Sequence, residues 1–253
     1  AMFPTAGLEN LVLAAFLAFC RIGACFMLMP GLSSVRVPAN VRLFVAVAVT
    51  LALMAHLWDA ILPSVDRRPA VLLPMIASEL LVGALMGLMA RFYLLALQFI
   101  ASAAAMMVGF GGVPSVAIEE PDAQSPFAAI ITFSALLLLF VMDFHHQIVF
   151  ALVRSYEFAP INVMYDPRSA LSDLSGTLTE AFMVGLRLGS PYVAYAILAN
   201  IAIGLVNKLA PQVPVYFISL PFTLVGALIL MYLSIGSMLS LFADGFFATT
   251  IGR

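Results

Sequence analysis

The chain has 253 residues, 64% of them hydrophobic and only 9% charged, with a mean hydropathy of +1.11. That composition excludes a water-soluble domain with one apolar core and makes the chain an integral membrane protein, or an obligate part of a larger hydrophobic assembly. Net charge is −2, and the 11 basic residues are scattered without a run or stripe, which argues against nucleic-acid binding.

Punctuation by proline, glycine and charge predicts an all-α chain with six principal apolar segments, near 8–29, 41–62, 71–107, 127–153, 177–206 and 213–243. The first lacks a basic leader, since Glu9 is the only charge before Arg21, and it has no clear small-residue cleavage site. It therefore reads as a retained segment rather than a signal peptide. Cys20 and Cys25, the only cysteines, fall on different faces of one helix and read as small buried apolar residues, not a disulfide. The short turn from Pro30-Gly31 to Val37-Pro38 folds the first two segments into an antiparallel hairpin. Arg36 and Arg42 on that turn are balanced by Arg67 and Arg68 on the next, so charge gives no membrane orientation.

The third segment, Val71 to Met107, carries Glu79, Arg91 and Gln98. As one helix it would be about 55 Å long against a hydrocarbon core of about 30 Å. Either it breaks, or much of it is buried against protein. Gly83 with Gly87, and Gly185 with Gly189 further on, have the small-xxx-small spacing that permits close helix approach. The segment runs into a glycine-rich, proline-ended stretch containing Met106, Met107, Gly109, Phe110, Gly111, Gly112 and Pro114. Irregular backbone at membrane depth must be buried in protein or line a cavity, so a re-entrant loop, plug or gate is one reading. A plain connection extended by Glu119, Glu120, Pro121 and Asp122 is the other.

The fourth segment contains Asp143, His145 and His146. On a helix Asp143 shares a face with His146 and Gln147, while His145 points elsewhere. Three readings follow: a proton relay, which needs further groups in a chain; a metal site, which needs ligands the neighbouring residues do not supply; or a polar contact fixing register against a facing helix or subunit. The last is preferred, with no metal. Arg21, Glu79, Arg91 and Arg187 raise the same question and read as charges paired across helices or snorkelling at segment ends.

The connection 154–177 is the most polar, and Asp166-Pro167 within it predicts a helix start with aspartate as cap and proline at the first position. Pro191 and Pro221 lie inside apolar segments and predict kinks or breaks into half-helices. The tight break Ala210-Pro211-Gln212-Val213-Pro214 pairs the last two segments. The sequence has no H-E-x-x-H, G-x-S-x-G, P-loop or dinucleotide fingerprint, so neither catalysis nor a cofactor is expected.

In chain order, Arg21-Ile22-Gly23, Pro30-Gly31, Val37-Pro38, Val41-Arg42-Leu43, Asp143-Phe144-His145-His146, Leu186-Arg187-Leu188, Pro191, Gly204-Leu205, Leu209-Ala210-Pro211-Gln212, Phe217 and Leu220-Pro221 resemble the landmarks of the FliR family of flagellar export components, whose injectisome counterpart is SctT. They span nearly the whole chain. Phe144 stands where the family's Asp-Gly-His-His pattern has glycine, Pro214 where asparagine is common, and Thr223 near an expected lysine.

The resemblance implies one all-helical export-gate domain over 1–253, a membrane-associated bundle of long, kinked helical hairpins with approximate halves 1–165 and 166–253 that resemble a FliP-like plus FliQ-like fusion. It implies a structural and gating subunit of the flagellar type III export channel in the bacterial inner membrane and basal body. Its partners would be FliP-like, FliQ-like, FlhB-like and FlhA-like proteins, and its cargo unfolded secreted proteins. Residues 106–114 would help close the channel. Arg21, Glu79, Arg91, Asp143, His145, His146, Arg187, Lys208 and Gln212 would be buried polar or assembly contacts. The alternative is an independent proton-coupled secondary transporter or channel that uses Asp143, His145 and His146.

Overall fold

Proline sets most of the helix starts in the computed structural model, which describes residues 7–34, 37–65, 68–110, 125–161 and 166–250. The described residues form seven α-helices: α1 (Leu8–Leu28), α2 (Ala39–Ile61), α3 (Pro69–Met107), α4 (Pro126–Val141), α5 (Phe144–Phe158), α6 (Pro167–Leu209) and α7 (Val215–Thr250). No strand occurs among them. A 3-10 turn, Leu62–Ser64, follows α2. Proline opens α3, α4 and α6, where its missing N–H costs nothing because the first-turn donors have no helical acceptor anyway. Ser125 Oγ accepts from the Ala128 N–H at 3.2 Å to cap α4. Asp166 Oδ1 accepts from the Arg168 N–H at 3.1 Å, which is the cap the Asp166-Pro167 pair implies.

Interior proline breaks no helix. Pro191 lies inside α6 and Pro221 inside α7, and both helices run through, as α3 runs through Pro74. Pro191 cannot serve the carbonyl of Arg187, four residues earlier, but Ser190 Oγ donates to that oxygen at 2.8 Å. The half-helices expected at these prolines are therefore not formed. The break falls instead within the fourth apolar segment, which becomes α4 and α5, divided at Met142–Asp143. Asp143 is the one non-glycine residue with positive φ among those described, at 57°.

By length and composition five helices can cross a membrane (α1, α2, α3, α6 and α7), or six elements if α4 and α5 count as one broken span. At 1.5 Å per residue α3 is about 58 Å long, α6 about 64 Å and α7 about 54 Å, all well beyond a hydrocarbon core of about 30 Å. Of the two fates open to the third segment, α3 takes the unbroken one.

The chain divides into two compact units. The first holds α1, α2, α3 as far as Phe92, α5 and the start of α6. Here α1 packs on α2 as a hairpin, and α2 also meets α5. Gly83 and Gly87 lie against Arg21 and Cys25, so α3 runs parallel to α1 with the backbones nearly touching. Both cysteines are buried and free. The second unit holds α3 from Tyr93, α4, α6 from Leu178 and most of α7. Gly185 and Gly189 admit Ile100 of α3. Helices α6 and α7 are antiparallel: Tyr195 lies on Gly226 and donates to the Thr223 carbonyl at 2.9 Å, Tyr192 hydrogen-bonds Ser234 at 2.9 Å, and Val184 meets Gly245. Tyr93 meets Phe246 edge-on, with centroids 5.7 Å apart.

Candidate functional site

Three features concentrate polar chemistry or irregular backbone. The first is a closed clasp inside unit 1. Arg21 of α1 is 1% exposed and Glu79 of α3 is wholly buried. Arg21 Nε and Nη2 donate to the two carboxylate oxygens of Glu79 at 2.9 and 2.6 Å, a fork-to-fork pairing. Nη1 donates to Ser155 Oγ at 2.9 Å, and Nη2 also donates to the Ala159 carbonyl at 2.7 Å. The Tyr156 ring covers the guanidinium from 3.9 Å. One side chain thus ties α1, α3 and the end of α5 together, and the Glu79 carboxylate balances its charge. Such an arrangement holds helices in register.

The second feature lies where α5 begins. Phe144 is completely buried and anchors the first turn, so its neighbours on either side reach the surface. Asp143 Oδ1 is 3.5 Å from His146 Nδ1 and 4.0 Å from His145 Nε2, and the two imidazole centroids are 4.3 Å apart. A helical face would exclude His145 from this group. Asp143 is not helical, however: its left-handed backbone re-aims the carboxylate so that both histidines fall within reach.

The third feature is the end of α3 in unit 2. After Met107 the chain turns through Gly109, whose φ of 97° only glycine adopts cheaply. Phe110 then stacks on Phe127 of α4, centroids 5.3 Å apart. Met106 is 72% exposed. Beside this turn is a cleft of about 210 Å³, walled by Met106 to Gly109, Tyr195 and Asn200 of α6, and Tyr216 and Thr223 of α7. Gly111, Gly112 and Pro114, the rest of the expected gating stretch, lie outside the described residues.

The other residues singled out in the sequence are dispersed. Arg91 is half-buried on α3, while Arg187, Lys208 and Gln212 are exposed on α6 and the turn after it. Ser155, Tyr156 and the Ala159 carbonyl, which complete the clasp, went unnoticed in the sequence because each is unremarkable alone; the run Arg154 to Glu157 was their only signal, as polar residues at the end of an apolar segment.

Comparison with known proteins places this architecture. The family model described as bacterial export proteins, family 1, matches residues 12–249. The chain belongs to that family. Within it, the flagellar biosynthetic protein FliR of Caulobacter vibrioides is 26% identical over 236 residues, covering 92% of each chain. The FliR of Escherichia coli K12 is 25% identical over 221 residues, covering 85% of this chain and 82% of its own. The Yop proteins translocation protein T of Yersinia pestis is 23% identical over 206 residues, with 79% and 77% covered. The export-family match takes in the Arg21 clasp, the Asp143 cluster and the turn at Gly109 alike.

Proposed function

We propose that this chain is a structural and gating subunit of a type III protein-export channel in the bacterial inner membrane, one that helps conduct unfolded proteins and has no catalysis of its own. The observation that carries the reading, beside family membership, is the combination of length and exposure in α6 and α7. These helices are about twice as long as a hydrocarbon core is thick, yet large apolar side chains stay exposed along them, including Leu198, Leu205, Phe217, Phe222 and Tyr232. Lipid covers only part of such a surface. Helices of similar character, on FliP-like and FliQ-like subunits, cover the rest, with FlhB-like and FlhA-like proteins adjoining.

Gating falls to the stretch beginning at Met106. Flexible methionines beside a glycine in a left-handed turn give a segment that changes shape at low cost, and the adjoining cleft gives its side chains somewhere to go. Deleting Gly109 to Gly112 is expected to make the membrane leak ions while export of flagellar proteins continues. Unchanged ion permeability in cells with normal levels of the protein would remove the gating role.

The transporter reading asks Asp143, His145 and His146 to feed a chain of polar groups across the membrane. Their position at the surface of unit 1, and the closure of the Arg21 clasp by its own partners, give that chain little to run through.

A further inference from the structure

We infer that Asp143, His145 and His146 form a surface site for a divalent first-row transition cation, best suited to Zn²⁺. One ligand atom from each of the three lies within 4.8 Å of the other two. The chemistry of the set is one carboxylate oxygen and two imidazole nitrogens, the mixed N and O donors that such cations prefer over the all-oxygen shells of Mg²⁺ and Ca²⁺. Around a tetrahedral zinc, metal–ligand bonds of 2.0–2.2 Å place ligand atoms about 3.3 Å apart. The 3.5 Å between Asp143 and His146 already fits, and the 4.0 Å between Asp143 and His145 closes with a small rotation about the side-chain bonds.

Two features of the local backbone bear on the same point. Asp143 occupies the N-cap position of α5, where an aspartate normally accepts from the first-turn N–H groups, yet its side chain caps nothing. The amides of His146 and Gln147 bond instead to the Asp143 main-chain oxygen, at 3.0 and 3.2 Å, which leaves the carboxylate turned toward the imidazoles. Its left-handed conformation is one that aspartate adopts more readily than most other non-glycine residues. The next residue, Phe144, is fully buried and anchors the start of α5. The positive end of the α5 dipole opposes a cation here, and the charge of Asp143 offsets it.

Three protein ligands leave at least one coordination position open to solvent, for water or for a ligand from another subunit. The site is therefore exchangeable rather than a sealed structural one.

The test uses the full chain without a polyhistidine tag, purified with whatever subunits accompany it, and titrated with Zn²⁺ against a chromogenic chelator. The wild type is expected to bind one more Zn²⁺ per chain than the variant H145A/H146A, and D143N to bind it about tenfold more weakly, a change of about 1.4 kcal/mol. His56 is the remaining histidine, and H56A should bind like the wild type. Zinc-edge X-ray absorption on the loaded wild type should show two imidazoles with light-atom donors. Equal stoichiometry in the wild type and H145A/H146A, or a shell without imidazole scattering, overturns the assignment. Loss of binding in H145A/H146A with an unchanged elution profile and thermal midpoint is a loss of the site and not of the fold.

Discussion

Arg21 shows what a charge is doing inside so apolar a chain. Its guanidinium is out of water, and it donates four hydrogen bonds, to both oxygens of a carboxylate, a hydroxyl and a backbone carbonyl, under an aromatic ring. Removing one partner of a buried pair strands the other, at a cost of about 3–5 kcal/mol, whereas replacing both by apolar side chains of similar volume is often nearly neutral. Glu79→Met is therefore expected to lower the thermal midpoint sharply or prevent accumulation, and the double change Arg21→Met with Glu79→Met to recover most of that loss. Thermal unfolding of the four variants of the cycle in detergent measures this. Additive losses would show that the clasp does not act as a unit. Both residues stand out in the sequence, as ionisable groups in apolar runs, but their pairing does not: 58 residues separate them, and any buried arginine could have met any carboxylate. The sequence-based assignment of His145 to a different face failed for a related reason, since spacing rules presume a helical backbone and Asp143 is left-handed.

At the scale of helices, much more could be read in advance. Apolar runs, proline at helix starts and the Asp166-Pro167 cap located the elements, because these signals act within a few residues of where they appear. Two local signals misled. Pro191 and Pro221 read as kinks or breaks, but neither helix breaks there, and in α6 a serine hydroxyl bonds the freed carbonyl. The real break, at Met142–Asp143, has neither proline nor glycine to announce it. Close packing of α1 and α3 rests on Gly83, where an added Cβ would collide with the Arg21 carbonyl oxygen, and on Gly87, where it would lie 2.7 Å from the Cys25 oxygen. Gly83→Ala must push the two backbones apart and misalign the clasp. Gly204, on α6, has nothing within 4 Å of an added Cβ. There alanine should be neutral or stabilising by up to about 1 kcal/mol through helix propensity. Comparing detergent-extracted yield and thermal midpoint for the two alanine variants separates packing from propensity. If Gly204→Ala proved as damaging as Gly83→Ala, the open face of α6 would already be covered by another subunit in the purified protein.

For the whole molecule, the unresolved tension in the composition was that apolar helices were too long and too charged for lipid. Part of the answer is internal: Arg21 and Glu79 neutralise each other, and glycines let α3 lie against α1 and α6. The remainder lies on α6 and α7, whose apolar side chains are exposed in the single chain and, on the proposed function, are covered in part by neighbouring subunits. That part was not legible in one chain's sequence, because residues that pack on another subunit look the same as residues that face lipid. Membership of the bacterial export family supplies the kind of partner, and it makes the assembly the account's central claim. The most direct measurement is co-expression of this chain with FliP-like and FliQ-like subunits from the same organism, followed by native mass determination in detergent. The account predicts a stoichiometric complex, with the chain unstable or aggregated when expressed alone. A monodisperse chain that purifies without partners and moves a small solute across liposomes would contradict it.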